Sequence, residues 1–237
     1  NSDIAALVST AGGGVIASPT AGVGGTNVAA GAALELANNV TIANEVLGIA
    51  GNGLFNGVST ALVASPYGTG ALRSVSGENA WNGAVILNGG NGAVTSIGTD
   101  EGSKLLLNGI IFQQANGSTG ETNQLLTTGT GTLEMGGTAS NLFKGATWLN
   151  EGTLLLNKQA GAIALRSTLT VGDGVGGDNA DVVRYAPGSS INQMLDVVVR
   201  INSSGLFDLA GNPDGINNVF TLVVGPDYSG DFVTNGA

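Results

Sequence analysis

The sequence predicts an all-β fold, a parallel β-helix or solenoid expected to coil right-handed, and three observations carry that expectation. The triplet Gly131-Thr132-Leu133 recurs as Gly152-Thr153-Leu154, about twenty residues on. A unit of that length is one coil, too small to bury its own apolar face and stable only when stacked on neighbours. Short apolar runs recur between polar or glycine breaks, several with period-2 alternation and none with a sustained helical stripe. Glycine supplies 41 of 237 residues, yet the hydrophobic fraction stays at 42%. A disordered glycine-rich chain would lack that apolar content, so the glycines mark turns between strands. An antiparallel β-sandwich or barrel is the alternative.

The elements follow in chain order. Residues 1–33 read as a Gly/Ala-rich leading rung or join, and 34–237 as a single solenoid. Strand-type runs begin at Leu34-Glu35-Leu36, Val40-Thr41-Ile42 and Val46-Leu47-Gly48-Ile49; Asn38-Asn39 and the β-branched residues between them argue against a helix. Further runs are Ala84–Leu87, Leu105–Leu107, Leu154–Leu156, Leu169–Val171, Val197–Val199 and Phe220–Val224. The breaks are rich in Asn-Gly, including Asn82-Gly83, Asn88-Gly89, Asn91-Gly92 and Asn108-Gly109. Between antiparallel strands that pair signals a hairpin. In stacked coils it makes a left-handed corner, with asparagine side chains stacking rung upon rung. The recurrence near twenty residues favours corners. Residues 112–128 and 172–194 read as longer excursions. About a dozen rungs at ~4.8 Å spacing would give a rod of roughly 55–60 Å. No edge-covering cap is legible at Ser2–Gly14 or Gly225–Ala237.

The stretch Gly129–Leu156 also resembles the autotransporter-associated β-strand repeat, found in passenger regions of large secreted bacterial surface proteins. That pattern runs G-x-G-x-L-x-L, a loop, a paired-glycine step, then G-x-L-x-L. Here it reads Gly129-Thr130-Gly131-Thr132-Leu133-Glu134-Met135, Lys144-Gly145-Ala146-Thr147, and Gly152-Thr153-Leu154-Leu155-Leu156. Met135 replaces the usual apolar partner and a single Gly145 the paired glycine. Leu169–Gly174 and Ser204–Asn212 resemble neighbouring rungs, so the likeness covers about residues 125–237. It implies an extracellular or cell-surface location and a β-helical passenger segment, and says almost nothing about activity.

Composition narrows the function. Cysteine and histidine are both absent, which removes disulfides, thiolate metal sites, the usual general base and the commonest metal ligand. The formal charge is −10, from 17 acids against seven bases. The bases are scattered singly, so no electropositive patch awaits a phosphate backbone, and nucleic acid is not an expected partner. An acidic surface opposes anionic lipid, and no run of about 18 apolar residues suggests membrane insertion of this segment. The chain opens at Asn1 with no basic and apolar leader, which reads as a segment of a longer secreted protein.

Two regions invite chemistry, the first in two ways. Gly172-Asp173-Gly174-Val175-Gly176-Gly177 satisfies G-x-G-x-x-G after a strand, but the sequence that follows does not read as the helix a dinucleotide needs. The same loop partly resembles a calcium repeat, with Asp173, Asp178 and Asp181 as candidate metal ligands; it is a lone copy, and a solvated turn is the plain alternative. Calcium is therefore the one cofactor with any candidate site. Asp208, Asp214 and Arg200 could serve a polysaccharide-acting enzyme, which needs only two carboxylates at suitable separation. Trp81, Trp148, Tyr67, Tyr185 and Tyr228 are dispersed and read as anchors over rung edges. The expectation is a non-enzymatic stalk, fibre or filament segment, with self-association end to end or continuation into further repeats. An adhesin that binds a surface glycan or protein through its loops is the second reading.

Overall fold

The computed structural model describes residues 7–9, 25–54, 68–113, 122–195, 197–214, 220–222 and 231–233, with 7–9 and 220–222 as backbone only. Among the described residues the chain forms strands and no helix. It opens with β1 (Leu7–Ser9) and β2 (Gly25–Val28), then winds repeatedly round three sides. The first circuits are β3 (Ala33–Ala37), β4 (Thr41–Ile42) and β5 (Val46–Ile49); β6 (Leu72–Ser76), β7 (Glu78–Trp81) and β8 (Val85–Leu87); and β9 (Val94–Thr99), β10 (Lys104–Leu107) and β11 (Ile111–Gln113). The later circuits keep two sides as strands: β12 (Gln124–Thr128) with β13 (Thr132–Met135), β14 (Thr147–Leu149) with β15 (Gly152–Leu156), and β16 (Leu169–Val171) with β17 (Asp181–Tyr185). The last are β18 (Val199–Ile201) with β19 (Gly205–Asp208), and β20 (Phe220–Leu222) with β21 (Asp231–Val233).

The first side is a nine-stranded sheet ordered β1-β3-β6-β9-β12-β14-β16-β18-β20. The second runs β4-β7-β10-β13-β15-β17-β19-β21, and the third β2-β5-β8-β11. All the pairings of β2 to β21 are parallel. The fold is a parallel β-solenoid, and the sandwich and barrel are excluded.

The two Gly-Thr-Leu triplets lie directly over one another, Thr132 opposite Thr153 and Leu133 opposite Leu154, 21 residues apart. Other circuits are longer, with Val94 opposite Gln124, 30 residues apart. The dozen rungs expected from a uniform period are therefore corrected. Eight parallel strands stack on the first side among the described residues, and seven steps of ~4.8 Å span ~34 Å.

Alternation places one residue in two inward, and register stacks those residues into ladders. On the first side Leu34, Leu72, Ile97, Thr127, Leu149, Val171 and Ile201 follow one another, all 3% exposed or less. On the second, Leu105, Leu133, Leu154, Val183 and Phe207 do the same. Each fully buried Leu or Phe contributes about 1.5–3 kcal/mol relative to exposure, so the ladders are the principal source of stability. Phe232 continues the second of these ladders over Phe207, ring centroids 5.6 Å apart, and Tyr185 of the neighbouring ladder meets Phe207 edge-on at 6.1 Å.

Two expectations about edges and corners change. Leu7–Ser9 pairs antiparallel with β3, so the first sheet is covered at its leading edge by a reversed strand where no cap was legible. Asparagine stacking does occur: Asn108 Nδ2 donates to Asn82 Oδ1 at 2.7 Å. The Asn-Gly glycines divide: Gly53 and Gly92 take the expected left-handed geometry, at φ 77° and 72°, and Gly83 and Gly109 serve close approach instead. A Cβ on Gly109 would lie 1.9 Å from the Gly83 carbonyl oxygen, and one on Gly83 would lie 1.8 Å from that of Glu45. Left-handed corners fall also on residues such as Asn38, Asn39 and Asn44, where the asparagine side chain tolerates positive φ. Residues 114–121 of one expected excursion and 11–24 of the Gly/Ala-rich stretch lie outside the described residues.

Candidate functional site

Beyond β11 the third side loses its regular strands, and two side-chain amides replace them. Asn141 Oδ1 accepts the Ile111 N–H at 2.9 Å, and its Nδ2 donates to the Ala164 carbonyl at 3.1 Å. Gln193 pairs with Lys158 as another backbone would: its Oε1 accepts the Lys158 N–H at 2.9 Å and its Nε2 donates to the Lys158 carbonyl at 3.0 Å. Both amides are fully buried. They satisfy backbone groups that would otherwise be orphaned where the coil departs from strand geometry.

Lys158 itself is fully buried, and its Nζ donates to the Gly109 carbonyl at 3.1 Å. Burial lowers its pKa from the ordinary 10.5 to about 8, because a low-dielectric interior disfavours the ammonium. Asp214 accepts the phenolic hydrogen of Tyr185 and the Met194 N–H. Burial, then that carboxylate, drives the Tyr185 phenol well above its ordinary value.

The corner between the first and second sides carries the other polar group. Asp181 begins β17 with an inward side chain and is 2% exposed. Ser204 Oγ donates to its Oδ2 at 2.6 Å and in turn accepts the Gly174 N–H at 2.9 Å. Burial foremost, with the charges of Asp173 and Glu151, raises the Asp181 carboxyl from 3.8 to about 7 against the opposing pull of the Ser204 hydroxyl. Glu151 accepts the Gly129 N–H at 2.7 Å.

The three proposed calcium ligands are not gathered. Asp181 is interior, Asp173 and Asp178 are exposed, and Asp173 Oδ1 accepts the Val175 N–H in a tight turn at 2.8 Å. Among the described residues no group of three or more Asp or Glu could hold a metal ion. The loop keeps positive φ at Gly172, Gly174, Gly176 and Gly177, and a strand follows it, which excludes the dinucleotide geometry. Asp208, Asp214 and Arg200 are not convergent either. Asp208 pairs with Arg184 at 2.8 Å on the second side, Asp214 faces Tyr185, and Arg200 is exposed on the first side between Thr170 and Thr221.

The outer faces bear ion pairs that link rungs. Arg73 reaches Glu35 at 2.9 Å and Asp100 at 2.7 Å, with its guanidinium pKa raised chiefly by the Asp100 hydrogen bond. Lys104 meets Glu134 at 2.5 Å. Such partly exposed pairs add about 1 kcal/mol or less each. Lys158, Gln193, Asn141 and Ser204 went unsingled in the sequence. Only the alternation Asp181, Val183, Tyr185 could have marked an interior acid. No family model, curated protein or solved structure matches the chain.

Proposed function

We propose that this chain is a non-enzymatic structural segment, a length of rigid rod within a secreted, autotransporter-like bacterial surface protein. The observation that carries the reading is the continuity of the ladders: eight strands in register on each of two sides, with the interior filled along the whole stack. A rod of this kind resists bending because each rung holds the backbone of the rungs above and below it. The polar groups described above support the same reading, since Asn141, Gln193, Lys158 and Asp181 bond within or between rungs instead of converging on a common point. The cysteine- and histidine-free composition suits an extracellular setting.

End-to-end association follows from the same geometry. β20 and β21 are the terminal strands of their sheets at one end, and β2 and β4 at the other. Among the described residues these strands pair on one edge only, which leaves backbone donors and acceptors for a further coil. The reversed β1 makes a junction on the first side antiparallel, while the other two sides can join in parallel. Negative-stain electron microscopy with light scattering tests the proposal: rods or axial filaments support it, and compact particles without a long axis refute it.

A further inference from the structure

Among the described residues five large apolar side chains are exposed; Phe232, at 39%, lies at the end of the second side, and the other four fall on opposing surfaces. Leu142, Ile191 and Leu195, at 50%, 56% and 45% exposed, all lie on the irregular third side. Half-buried Phe112 and Ile163 accompany them. The rungs there are adjacent: the Leu142 N–H donates to Ile111, that of Asn141 to Ile163, and that of Leu195 to Leu165. Two cations border the patch. Lys144 is exposed, and Arg166 donates through Nε to the Asn141 carbonyl at 2.5 Å. Neither belongs to the ion pairs formed among the described residues.

The complementary feature is the loop between β16 and β17. Val175 is its tip, 69% exposed, between the exposed carboxylates of Asp173 and Asp178. The loop is held in shape by the Val175 N–H on Asp173 and the Gly174 N–H on Ser204. It projects from the corner between the first and second sides, which in a three-sided coil faces away from the third. It also belongs to the same circuit as Ile191 and Leu195, and Leu142 lies two circuits before it.

We propose that copies of this chain associate side by side, the Asp173–Asp178 loop of one seated on the third side of the next. Val175 packs against Leu142, Ile191 and Leu195, and the two carboxylates face Lys144 and Arg166. An apolar tip with an acidic rim meets an apolar patch with a basic rim, which is why a second copy is the occupant. In a chain of charge −10, bringing those cations to the loop offsets the general repulsion between copies. The contact is heterologous: each copy offers a loop at one surface and a patch at the opposite one, so it does not close and produces a row of parallel rods. The inference builds on the rod reading and adds a lateral partner to it.

Sedimentation velocity of the whole chain over a wide concentration range tests it, with Val175→Asp as the loop variant and Ile191→Asp as the patch variant. Both positions are more than half exposed, and a retained β-type circular-dichroism spectrum verifies the fold. Each variant should self-associate at least about tenfold more weakly than the parent. An equimolar mixture of the two should regain a lateral dimer that neither variant forms alone, because one keeps its patch and the other its loop, while joining at the coil ends is the same in parent, variants and mixture. Lys144→Glu should weaken association, and Asp178→Lys added in the same chain should restore it. A parent that stays monomeric throughout, variants that associate like the parent, or a mixture that forms no dimer overturns the lateral contact. Electron micrographs separate that failure from failure of the rod: single rods or axial filaments leave the rod reading intact, and particles with no long axis remove it.

Discussion

Replacing Asp181 by Asn should remove a pH dependence that the parent carries between pH 3.8 and about 7. In the folded chain the carboxyl is buried and keeps its proton up to about pH 7; in the unfolded chain it loses that proton near 3.8. Over the interval the native state therefore binds more protons than the unfolded state. Its stability is complete below the lower value and declines as pH rises through the upper one. The interval is about three pH units, and each is worth about 1.4 kcal/mol, so the full loss is of order 4 kcal/mol. Asn is close in shape, carries no charge, and offers an oxygen to the Ser204 hydroxyl that Asp181 accepts at 2.6 Å. Urea unfolding followed by far-ultraviolet circular dichroism, at about pH 5 and about pH 8, measures the effect. The interval from 3.8 to about pH 5 is already part of the loss, so the variant should exceed the parent by about 1–2 kcal/mol at the acidic value and by about 4 kcal/mol at the basic one. Equal pH slopes in parent and variant would show that Asp181 ionises normally in the fold, and the account of that corner would be wrong.

Lys158→Met should stabilise the chain at neutral pH by about 1–3 kcal/mol, since burial depresses the ammonium and an apolar isostere carries no such cost. The sign is the reverse of that for Asp181: the parent's stability should rise as pH climbs from about 8 to 10.5, and calorimetric melting of the variant should lack that rise. Gln193→Leu leaves the Lys158 N–H and carbonyl and the Ser190 carbonyl without their amide partner, a loss of about 2–4 kcal/mol in denaturant titration. Unchanged stability would mean that water replaces the amide. Gly109→Ala places a methyl 1.9 Å from the Gly83 oxygen and should cost about 3 kcal/mol or more, read as a lower melting temperature; an unaltered melt would show that the rung can shift.

The sequence by itself determined the coil. Gly131-Thr132-Leu133 and Gly152-Thr153-Leu154 could be matched by eye because both triplets occupy one position in successive rungs, and a ladder repeats its chemistry wherever the backbone repeats its path. Alternation in Leu169-Thr170-Val171 marked the inward face for the same local reason, with Leu169 and Val171 buried and Thr170 between them less so. Tertiary structure decided what repetition does not encode. Circuit length varies with each excursion, so the rung count could not be read from one period. The reversed β1 answers to the edge of β3, a partner far along the chain. Gln193 and Lys158 are neighbours only because two coils bring residues 35 positions apart into contact, and a polar side chain gives no sign in sequence of whether it meets water or another rung. The same holds for Asp173, Asp178 and Asp181: spacing suggested a common site, but the pleat turned one carboxylate inward and left the other two in solvent.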